Sequence, residues 1–370
     1  MMGMRKGIGA FVVLVVVLLS LIVVLPVEAD SQLIIVPDDY QTVSSAITNA
    51  KNGDTILLRK GTYEEKTLEI NTSITLLGED AKSTIIKLHP PIRITSILSA
   101  DFFHYSNAIT ISANDVKLLN LTIIPEGFIR TDAKRTQISG NYINTGTETG
   151  IVINGSYCNI TDNISGGSIN LNGSYNIVAL NSVYEIIISK HTNKISNNII
   201  NTIQLSNAYY NNISQNRITS ETASYGIRLL DNCSYNNIYN NSISTLLYDV
   251  HIFNQSSQDN IFYHNIFLSK HHSKSPHAYN YNLTSINFWD NGFEGNFWSS
   301  YNGSDVNGDG IGDVPYVIDA NNVDRYPLMN PWTGSLPEAE PSDSLILPLA
   351  VTAALAISFG LAFYFKKRKH

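Results

Sequence analysis

Two kinds of short apolar stretch alternate along the middle of the chain. In the first, apolar residues occupy every second position, and this alternation predicts strands with one buried face. These pairs are Ile151/Ile153, Ile169/Leu171, Ile186/Ile188, Ile203/Leu205, Ile227/Leu229 and Val250/Ile252. The second kind is the phrase Asn-x-Ile-x-x-Asn-x-Ile, with small variations. Its second Asn recurs every 17 to 25 residues, at Asn141, Asn163, Asn181, Asn198, Asn216, Asn241 and Asn265.

A repeating unit of about 20 residues with two short strands and polar corners is typical of one coil of a parallel β-solenoid. Asparagines that recur at one corner then stack into a ladder, in which side-chain amides hydrogen-bond from coil to coil. A leucine-rich repeat lacks its consensus here, and a β-sandwich would not keep Asn at one phase. The sequence therefore predicts an all-β fold, a right-handed single-stranded parallel β-helix of about ten to twelve coils.

Both ends of this solenoid are expected to carry caps, because an unpaired edge strand promotes aggregation. At the N-terminal end, the apolar spacing from Tyr40 to Ala50 predicts a short amphipathic helix that Asn52-Gly53 ends. At the C-terminal end, aromatic residues crowd together and predict either a hydrophobic lid or a platform that stacks on sugars. These are Phe288, Trp289, Phe293, Phe297, Trp298 and Tyr301.

The two termini predict the topology. An apolar run from Ile8 to Leu25 and the cleavage pattern ending at Ala29 predict a signal peptide, with an uncleaved anchor as the alternative. The 21 uncharged residues from Leu345 to Phe365 predict one transmembrane helix, with a buried core helix as the alternative. The basic tail that follows predicts a cytoplasmic C-terminus, so the body would lie outside the cell at the cell membrane.

The expected domains follow from these boundaries: signal peptide 1–29, capped β-helix 30–300, C-terminal extension 301–332, stalk 333–344, transmembrane helix 345–365 and cytoplasmic tail 366–370. Residues 30–344 carry 18 Lys and Arg against 30 Asp and Glu, which disfavours nucleic acid as a partner. Twelve Asn-x-Ser/Thr sequons make the body a potential glycoprotein, although ladder asparagines that face inward cannot carry a glycan.

The opening segment, from Ala46 to Ile86, resembles the start of pectin-lyase-like right-handed β-helix proteins. The repeats, together with Asn296-Phe297-Trp298 and Arg325-Tyr326-Pro327-Leu328, resemble archaeal surface proteins of the periplasmic copper-binding NosD β-helix group. The resemblance covers about residues 34–332. It implies the fold strongly and the chemistry weakly, because such folds host lyases, hydrolases, epimerases and binding proteins.

A candidate calcium loop lies in the C-terminal extension. Oxygen donors stand at loop positions 1, 3, 5 and 9, a backbone carbonyl at position 7 and Gly at position 6, as in calcium loops. The residues are Asp305, Asn307, Asp309, Ile311 and Asp313, and Tyr316 stands where a bidentate Glu is usual. A Gly/Asp-rich surface turn is the alternative.

Copper, which the NosD resemblance suggests, is not supported by the ligand set. Copper(I) prefers Met and Cys ligands, and copper(II) accepts imidazole. The body has one Met, and Cys158 and Cys233 are about four coils apart, so we expect two buried free thiols. His271, His272 and His277 cluster in one insertion that could bind a metal adventitiously, and a solvated polar loop is the alternative.

Aligning the coils in phase produces one outward column, which contains the candidate ligand-binding residues Asn170, Gln204, Arg228 and His251, with Asp231 near it. Such a stripe suits hydrogen bonding to a long polymer better than acid–base catalysis. We therefore expect a non-catalytic protein that binds a glycan or makes cell-envelope contacts. A polysaccharide lyase, epimerase or hydrolase is the alternative, and a copper-related role is the third.

Overall fold

A computed structural model describes residues 31–90, 106–144, 150–220, 225–254, 256–268, 277–281 and 284–333. The predicted signal peptide, transmembrane helix and basic tail lie outside these residues, as does the stalk beyond residue 333. Within the described residues, no helix is long and apolar enough to cross a bilayer.

The described chain consists of one helix and 31 short strands. The helix, α1, spans Val43–Asn49. The first sixteen strands are β1 (Leu33–Val36), β2 (Thr55–Leu58), β3 (Gly61–Glu65), β4 (Leu68–Ile70), β5 (Thr75–Gly78), β6 (Thr84–Leu88), β7 (Asn107–Ile111), β8 (Lys117–Leu119), β9 (Thr122–Pro125), β10 (Phe128–Thr131), β11 (Gln137–Ser139), β12 (Tyr142–Ile143), β13 (Gly150–Ile153), β14 (Asn159–Thr161), β15 (Ile164–Leu171) and β16 (Ile177–Ala179). The remaining strands are β17 (Ser182–Ile188), β18 (Lys194–Ser196), β19 (Ile199–Leu205), β20 (Asn212–Ser214), β21 (Arg217–Thr219), β22 (Tyr225–Leu229), β23 (Asn237–Tyr239), β24 (Ser242–Ser244), β25 (Tyr248–Ile252), β26 (Ile261–Tyr263), β27 (Ile266–Phe267), β28 (Ala278–Asn280), β29 (Phe297–Trp298), β30 (Tyr316–Val317) and β31 (Val323–Asp324).

These strands form a parallel β-helix, as predicted. One 11-stranded sheet takes one strand from each coil, so eleven coils are seen in the described part of the chain, within the predicted range. An 18-stranded sheet forms the other two sides of each coil, because its long strands bend across both. For example, β15 pairs with β12 through Ile164 and Ser165, and with β13 through residues Ser168 to Leu171.

The core is a set of aliphatic columns that run along the solenoid. One column passes through all eleven strands of the first sheet, and every member is buried: Ile34, Ile56, Leu76, Leu118, Ile138, Ile160, Val178, Ile195, Ile213, Ile238 and Phe262. Burying each such side chain contributes about 1.5–3 kcal/mol relative to exposing it. The predicted alternating pairs from Ile151/Ile153 to Val250/Ile252 are all buried as well.

Two asparagine ladders close the corners. The predicted ladder from Asn141 to Asn265 continues through Asn296 and ends at Asp324. In each step, one Asn Oδ1 accepts hydrogen bonds from the backbone N–H and the side-chain amide of the Asn one coil earlier, as Asn198 does for Asn181. A second ladder, which the sequence analysis missed, passes through Asn176, Asn193, Asn211, Asn236, Asn260, Asn287 and Asn322.

Both ends of the solenoid are capped. The helix is shorter than predicted: it begins after the N-cap Thr42 and ends at Asn49, before Asn52-Gly53, because Ala50 is already extended. At the other end, Trp289 stacks on Phe262 and Trp298 stacks on Phe267, and both tryptophans are buried. Two of the aromatic residues grouped with them are exposed, namely Phe288 and Phe293, because their side chains lie outside this lid.

Residues 301–332 pack directly on the last coil. Asn322 and Asp324 complete the two ladders, and Leu328 bridges Phe297 and Ile311. The two cysteines are free and buried, as expected, and burial raises the pKa of both thiols. The sequon residue Asn163 is a fully buried ladder member, which leaves no room for a glycan there.

Candidate functional site

The residues of the predicted outward column pair with one another, from each strand to the next, without a break in register. Asn170 pairs with Ile187, Ile187 with Gln204, Gln204 with Arg228, and Arg228 with His251. The column also continues beyond the predicted stretch, through Arg130 and Thr110 to Glu69 at one end and to Tyr279 at the other. We call the solenoid side that carries this line the column face.

Arg228 connects the polar and aromatic parts of the column. Its Nη1 donates a hydrogen bond of 3.0 Å to Gln204 Oε1, and its guanidinium carbon lies 5.0 Å from the centre of the Tyr225 ring. Its buried Nε has no hydrogen-bond partner among the described residues. Burial raises the pKa of the Glu185 carboxyl, and the positive charge of Arg228 partly opposes that rise.

His251 lies next to Arg228 and is only 5% exposed. Its ring stacks on Tyr225 at a centroid distance of 4.6 Å and on Tyr279 at 5.7 Å. Burial, and secondly the charge of Arg228, lower the pKa of the imidazole, so His251 is neutral at neutral pH. Its Nδ1 has no partner among the described residues, and neither has Asn170 Oδ1 at the other end of the column.

Aromatic side chains extend the site beside the column. Tyr248 stacks on Tyr279 at 4.9 Å, and next to them Phe253 stacks on Tyr281 at 5.6 Å. Phe253 and Tyr281 are exposed, whereas Tyr248 and Tyr279 are partly buried. The column face therefore carries aromatic rings that stack from coil to coil, two of them exposed and two partly buried.

Asp231, the fifth predicted ligand-binding residue, is not a member of the column. It is exposed in the turn after β22, where its Oδ1 accepts a hydrogen bond of 2.7 Å from Asn254 Nδ2. The structure therefore brings Gln204, Arg228 and His251 into one contact network and leaves Asp231 at its margin.

A second aromatic array runs along the corner that follows the column-face strands. We call it the corner ribbon, and it consists of Tyr157, Tyr175, His191, Tyr209, Tyr210 and Tyr235. Consecutive ring centroids lie 5.1 to 5.9 Å apart, and the five tyrosines are 41–57% exposed. This is an extended aromatic surface in contact with solvent.

The sequence analysis missed the corner ribbon, although a signal existed. Tyr157, Tyr175, Tyr210 and Tyr235 each stand at the same phase of the repeat, and each takes the left-handed backbone conformation with φ between 57° and 61°. Three of them follow a serine, in the dipeptide Ser-Tyr. These tyrosines lie in turns, outside both the repeated Asn phrase and the alternating apolar pairs.

The candidate calcium loop is an exposed turn held by its own hydrogen bonds. Asp305 carboxylate oxygens accept from the N–H groups of Gly308, Asp309 and Gly310, and Asn307 Nδ2 donates to Asp309 Oδ2. Asp313 Oδ2 accepts from Ser304 and Val306. Among the described residues, no three or more His, Cys, Asp or Glu side chains are arranged to hold a metal ion.

Of the three histidines considered for copper, His271 and His272 lie outside the described residues. His277 is buried, and its ring nitrogens face Asp249 and Ser299.

Comparisons with known proteins give a limited result. No protein-family model matches the sequence, and no curated protein sequence matches it. One similar solved structure is the A-module of a mannuronan C-5 epimerase from Azotobacter vinelandii, with 11% identity and a TM-score of 0.35, covering 66% of this chain and 93% of that chain. Another is a PL6 family polysaccharide lyase from Pseudopedobacter saltans, with 12% identity and a TM-score of 0.36, covering 73% of this chain and 83% of that chain.

Proposed function

We propose that this protein binds an extended carbohydrate chain along its column face. The observation that carries the proposal is the register of the column, which places Asn170, Gln204, Arg228 and His251 on one line. Neighbouring strands are about 4.8 Å apart, so the line presents hydrogen-bonding groups over roughly 19 Å, interrupted once by Ile187. An extended polymer can follow such a line and contact several coils at once.

The chemistry of the face also fits carbohydrate. Asn170, Gln204 and Arg228 are only partly buried, so their amide and guanidinium groups can hydrogen-bond a ligand on this face. Sugar hydroxyls can both donate and accept. The rings of Phe253 and Tyr281 supply an exposed apolar edge for the C–H groups of a sugar.

We propose binding rather than catalysis because of what the column contains. Between Thr110 and Tyr279 the members of the column are apolar, amide, guanidinium and imidazole side chains. Two carboxyls adjoin it, Glu69 at its end beyond Thr110 and Glu185 near Arg228, but their strands are five coils apart. Glycoside-bond chemistry usually needs a placed acid and a placed base.

The cellular location of the protein and its attachment to the membrane are part of the same proposal. We propose that a signal peptide directs the body out of the cell and that residues 345–365 anchor it to the cell membrane, supported by the uncharged lengths and the basic tail of the sequence. The kinship with archaeal surface proteins of the NosD group is likewise proposed, on the repeat and on the tail residues that resemble that group.

We also propose that the loop from Asp305 to Asp313 binds calcium as a structural ion. The backbone suits such a loop, because Gly308 and Gly310 take positive φ values of 72° and 88° and the chain folds around the Asp305 carboxylate. Binding would require Asn307 and Asp309 to exchange their mutual hydrogen bond for contacts to the ion.

A glycan array probed with the full-length chain tests the carbohydrate proposal. We expect selective binding to polymeric glycans, and we expect Arg228→Gln to weaken it by about tenfold or more, because a hydrogen bond to a charged group contributes about 1.5–3 kcal/mol. Arg59→Gln, which alters an exposed Arg59–Asp38 ion pair near the N-terminal cap, is the matched control. Absence of binding to any glycan, or turnover of uronic-acid polymers at the column face, would contradict the proposal.

A further inference from the structure

An aspartate, a histidine and a serine form a hydrogen-bonded chain at the C-terminal end of the solenoid, apart from the column. His277 Nδ1 lies 2.8 Å from Asp249 Oδ2, and His277 Nε2 lies 3.3 Å from Ser299 Oγ. A carboxylate can only accept, so Nδ1 carries the proton toward Asp249. That tautomer leaves Nε2 with a lone pair directed at the serine hydroxyl.

The surroundings hold each member in place. Asp249 has no exposed surface, and its second oxygen, Oδ1, accepts from the backbone N–H of Thr245 at 3.3 Å. The Thr245 hydroxyl lies 3.3 Å from the same oxygen and donates over 2.9 Å to Tyr248 O. His277 is 3% exposed, and its carbonyl accepts from the N–H groups of Asp249 and Val250. Phe267 and Trp298 lie against its ring.

Ser299 differs from its two partners because it is exposed. It follows directly after β29, and its N–H donates a hydrogen bond of 3.0 Å to Phe267 O, which fixes the backbone beside His277. The chain thus runs from a fully buried carboxylate, through a buried imidazole, to a hydroxyl at the surface.

We propose that Ser299 is a nucleophile for acyl transfer, with His277 as its general base and Asp249 as the residue that positions His277. The order carboxylate to Nδ1 and Nε2 to hydroxyl is the arrangement by which serine hydrolases activate serine, and it is recognised by geometry, not by sequence position. The substrate class is a carboxylic ester. This activity goes beyond carbohydrate binding and does not depend on it.

The reaction balances with water as the only co-reactant. Ser299 Oγ forms a bond to the ester carbonyl carbon while its proton passes to His277 Nε2. The bond from that carbon to the alkoxy oxygen then breaks, and the leaving oxygen takes the proton from Nε2, which releases the alcohol. A water molecule attacks the acyl-serine and gives a proton to Nε2, the bond to Oγ breaks, and Oγ recovers that proton as the carboxylic acid leaves.

The test uses the full-length chain, a fluorophosphonate that labels activated serines, and the hydrolysis of p-nitrophenyl acetate. We expect the label on Ser299 by peptide mapping, and we expect Ser299→Ala to abolish both labelling and hydrolysis. Ser300→Ala, at the neighbouring exposed serine, is the matched control and should keep both. Because Ser299 is exposed, far-UV circular dichroism should show that its alanine variant folds.

Asp249→Asn tests the positioning role. It should lower kcat for p-nitrophenyl acetate by about a hundredfold or more, with little change in KM, because Asp249 is buried and cannot touch the ester. If the folded wild-type chain takes no label on Ser299, or if Ser299→Ala hydrolyses the ester as fast as Ser300→Ala, the proposal is wrong. If Asp249→Asn raises KM and leaves kcat unchanged, the positioning role is wrong.

Discussion

At the scale of single residues, the column face places the permanently charged guanidinium of Arg228 next to the neutral imidazole of His251. Arg228 and His251 come from adjacent coils and both contact the Tyr225 ring, one through its cation and the other by stacking. Because burial and Arg228 both lower the pKa of His251, the site keeps one positive charge at neutral pH rather than two. One cation between amide and phenol groups suits recognition of a polar polymer.

Another residue, Asp324, has a measurable consequence for stability. It accepts hydrogen bonds from Asn296 N–H and Trp298 Nε1 at 2.8 Å each, yet burial raises its pKa from 3.8 to about 6. The folded state therefore binds this proton more tightly than the unfolded state does. The contribution of Asp324 to stability is fully present below about pH 3.8 and falls as pH rises toward 6.

We predict that Asp324→Asn removes this dependence. The free energy of unfolding of the wild-type chain, measured relative to that of the variant by denaturant titration, should fall by up to about 3 kcal/mol between pH 4 and pH 7. The matched control is Asp259→Asn, because the Asp259 side chain contacts Tyr235 of the corner ribbon and not the ladders. A constant difference between wild type and Asp324→Asn across this range would contradict the assignment.

At the scale of strands and ladders, the regular parts of the fold could be predicted and the irregular parts could not. Period-two alternation in pairs such as Ile203/Leu205 identified the inward positions, because a buried interior tolerates only apolar side chains there. The register of the column followed from the same alignment. The second ladder was not predicted because two of its members, Asn211 and Asn236, each stand directly before another asparagine that fits the repeated phrase, which hides their own phase.

The contacts of the site depend on turns and on side-chain geometry. The bond from Arg228 to Gln204 and the stacking of Tyr225 on His251 depend on rotamers that no repeat pattern specifies. The chain of Asp249, His277 and Ser299 joins three segments 28 and 22 residues apart, with no common motif. Sequence spacing alone cannot show that such residues meet.

The ladder makes a second prediction at this scale. Asn198 Oδ1 accepts from the backbone N–H of Asn181, and Asn198 Nδ2 donates to the carbonyls of Val178 and Ser196, so Asn198→Ala leaves a buried N–H without a partner and removes a donor from two carbonyls. We expect a loss of about 3 kcal/mol or more in the free energy of unfolding, measured in urea, since each unsatisfied buried group costs about 1–3 kcal/mol. Asn172→Ala, which removes an exposed amide bond to Asn154, should change stability by less than about 1 kcal/mol. Equal losses in the two variants would show that the buried ladder is not what stabilises the coils.

At the scale of the whole molecule, the last coil is where most separate features converge. Both ladders end there at Asn322 and Asp324, the aromatic lid covers the core, and residues 301–332 pack over it. The first coil is covered by α1, whose N-terminal N–H groups are held by Glu65. The solenoid is therefore closed at both ends, and the column face runs between them.

Calcium at the loop from Asp305 to Asp313 would stabilise this closed end. If free calcium is about a hundredfold above its dissociation constant, the ion adds about 2.7 kcal/mol, so a chelator should lower the melting temperature by roughly 5 °C. Asp309→Ala should remove that sensitivity, whereas Asp115→Ala, at a surface ion pair with Arg135, should keep it. Identical melting curves with and without chelator would remove the structural role of the ion.

The central claim is that one line of side chains binds one extended polymer, and affinity as a function of oligosaccharide length tests it most directly. From Asn170 to His251 the column covers five coils, four steps of about 4.8 Å. By isothermal titration calorimetry of the full-length chain, the affinity for oligosaccharides of the array-selected glycan should rise with length up to about five residues and then level off. Arg228→Gln should weaken binding most for the chains long enough to reach Arg228. An affinity that is the same for a single sugar and for the polymer, or that Arg228→Gln leaves unchanged at every length, would contradict the account.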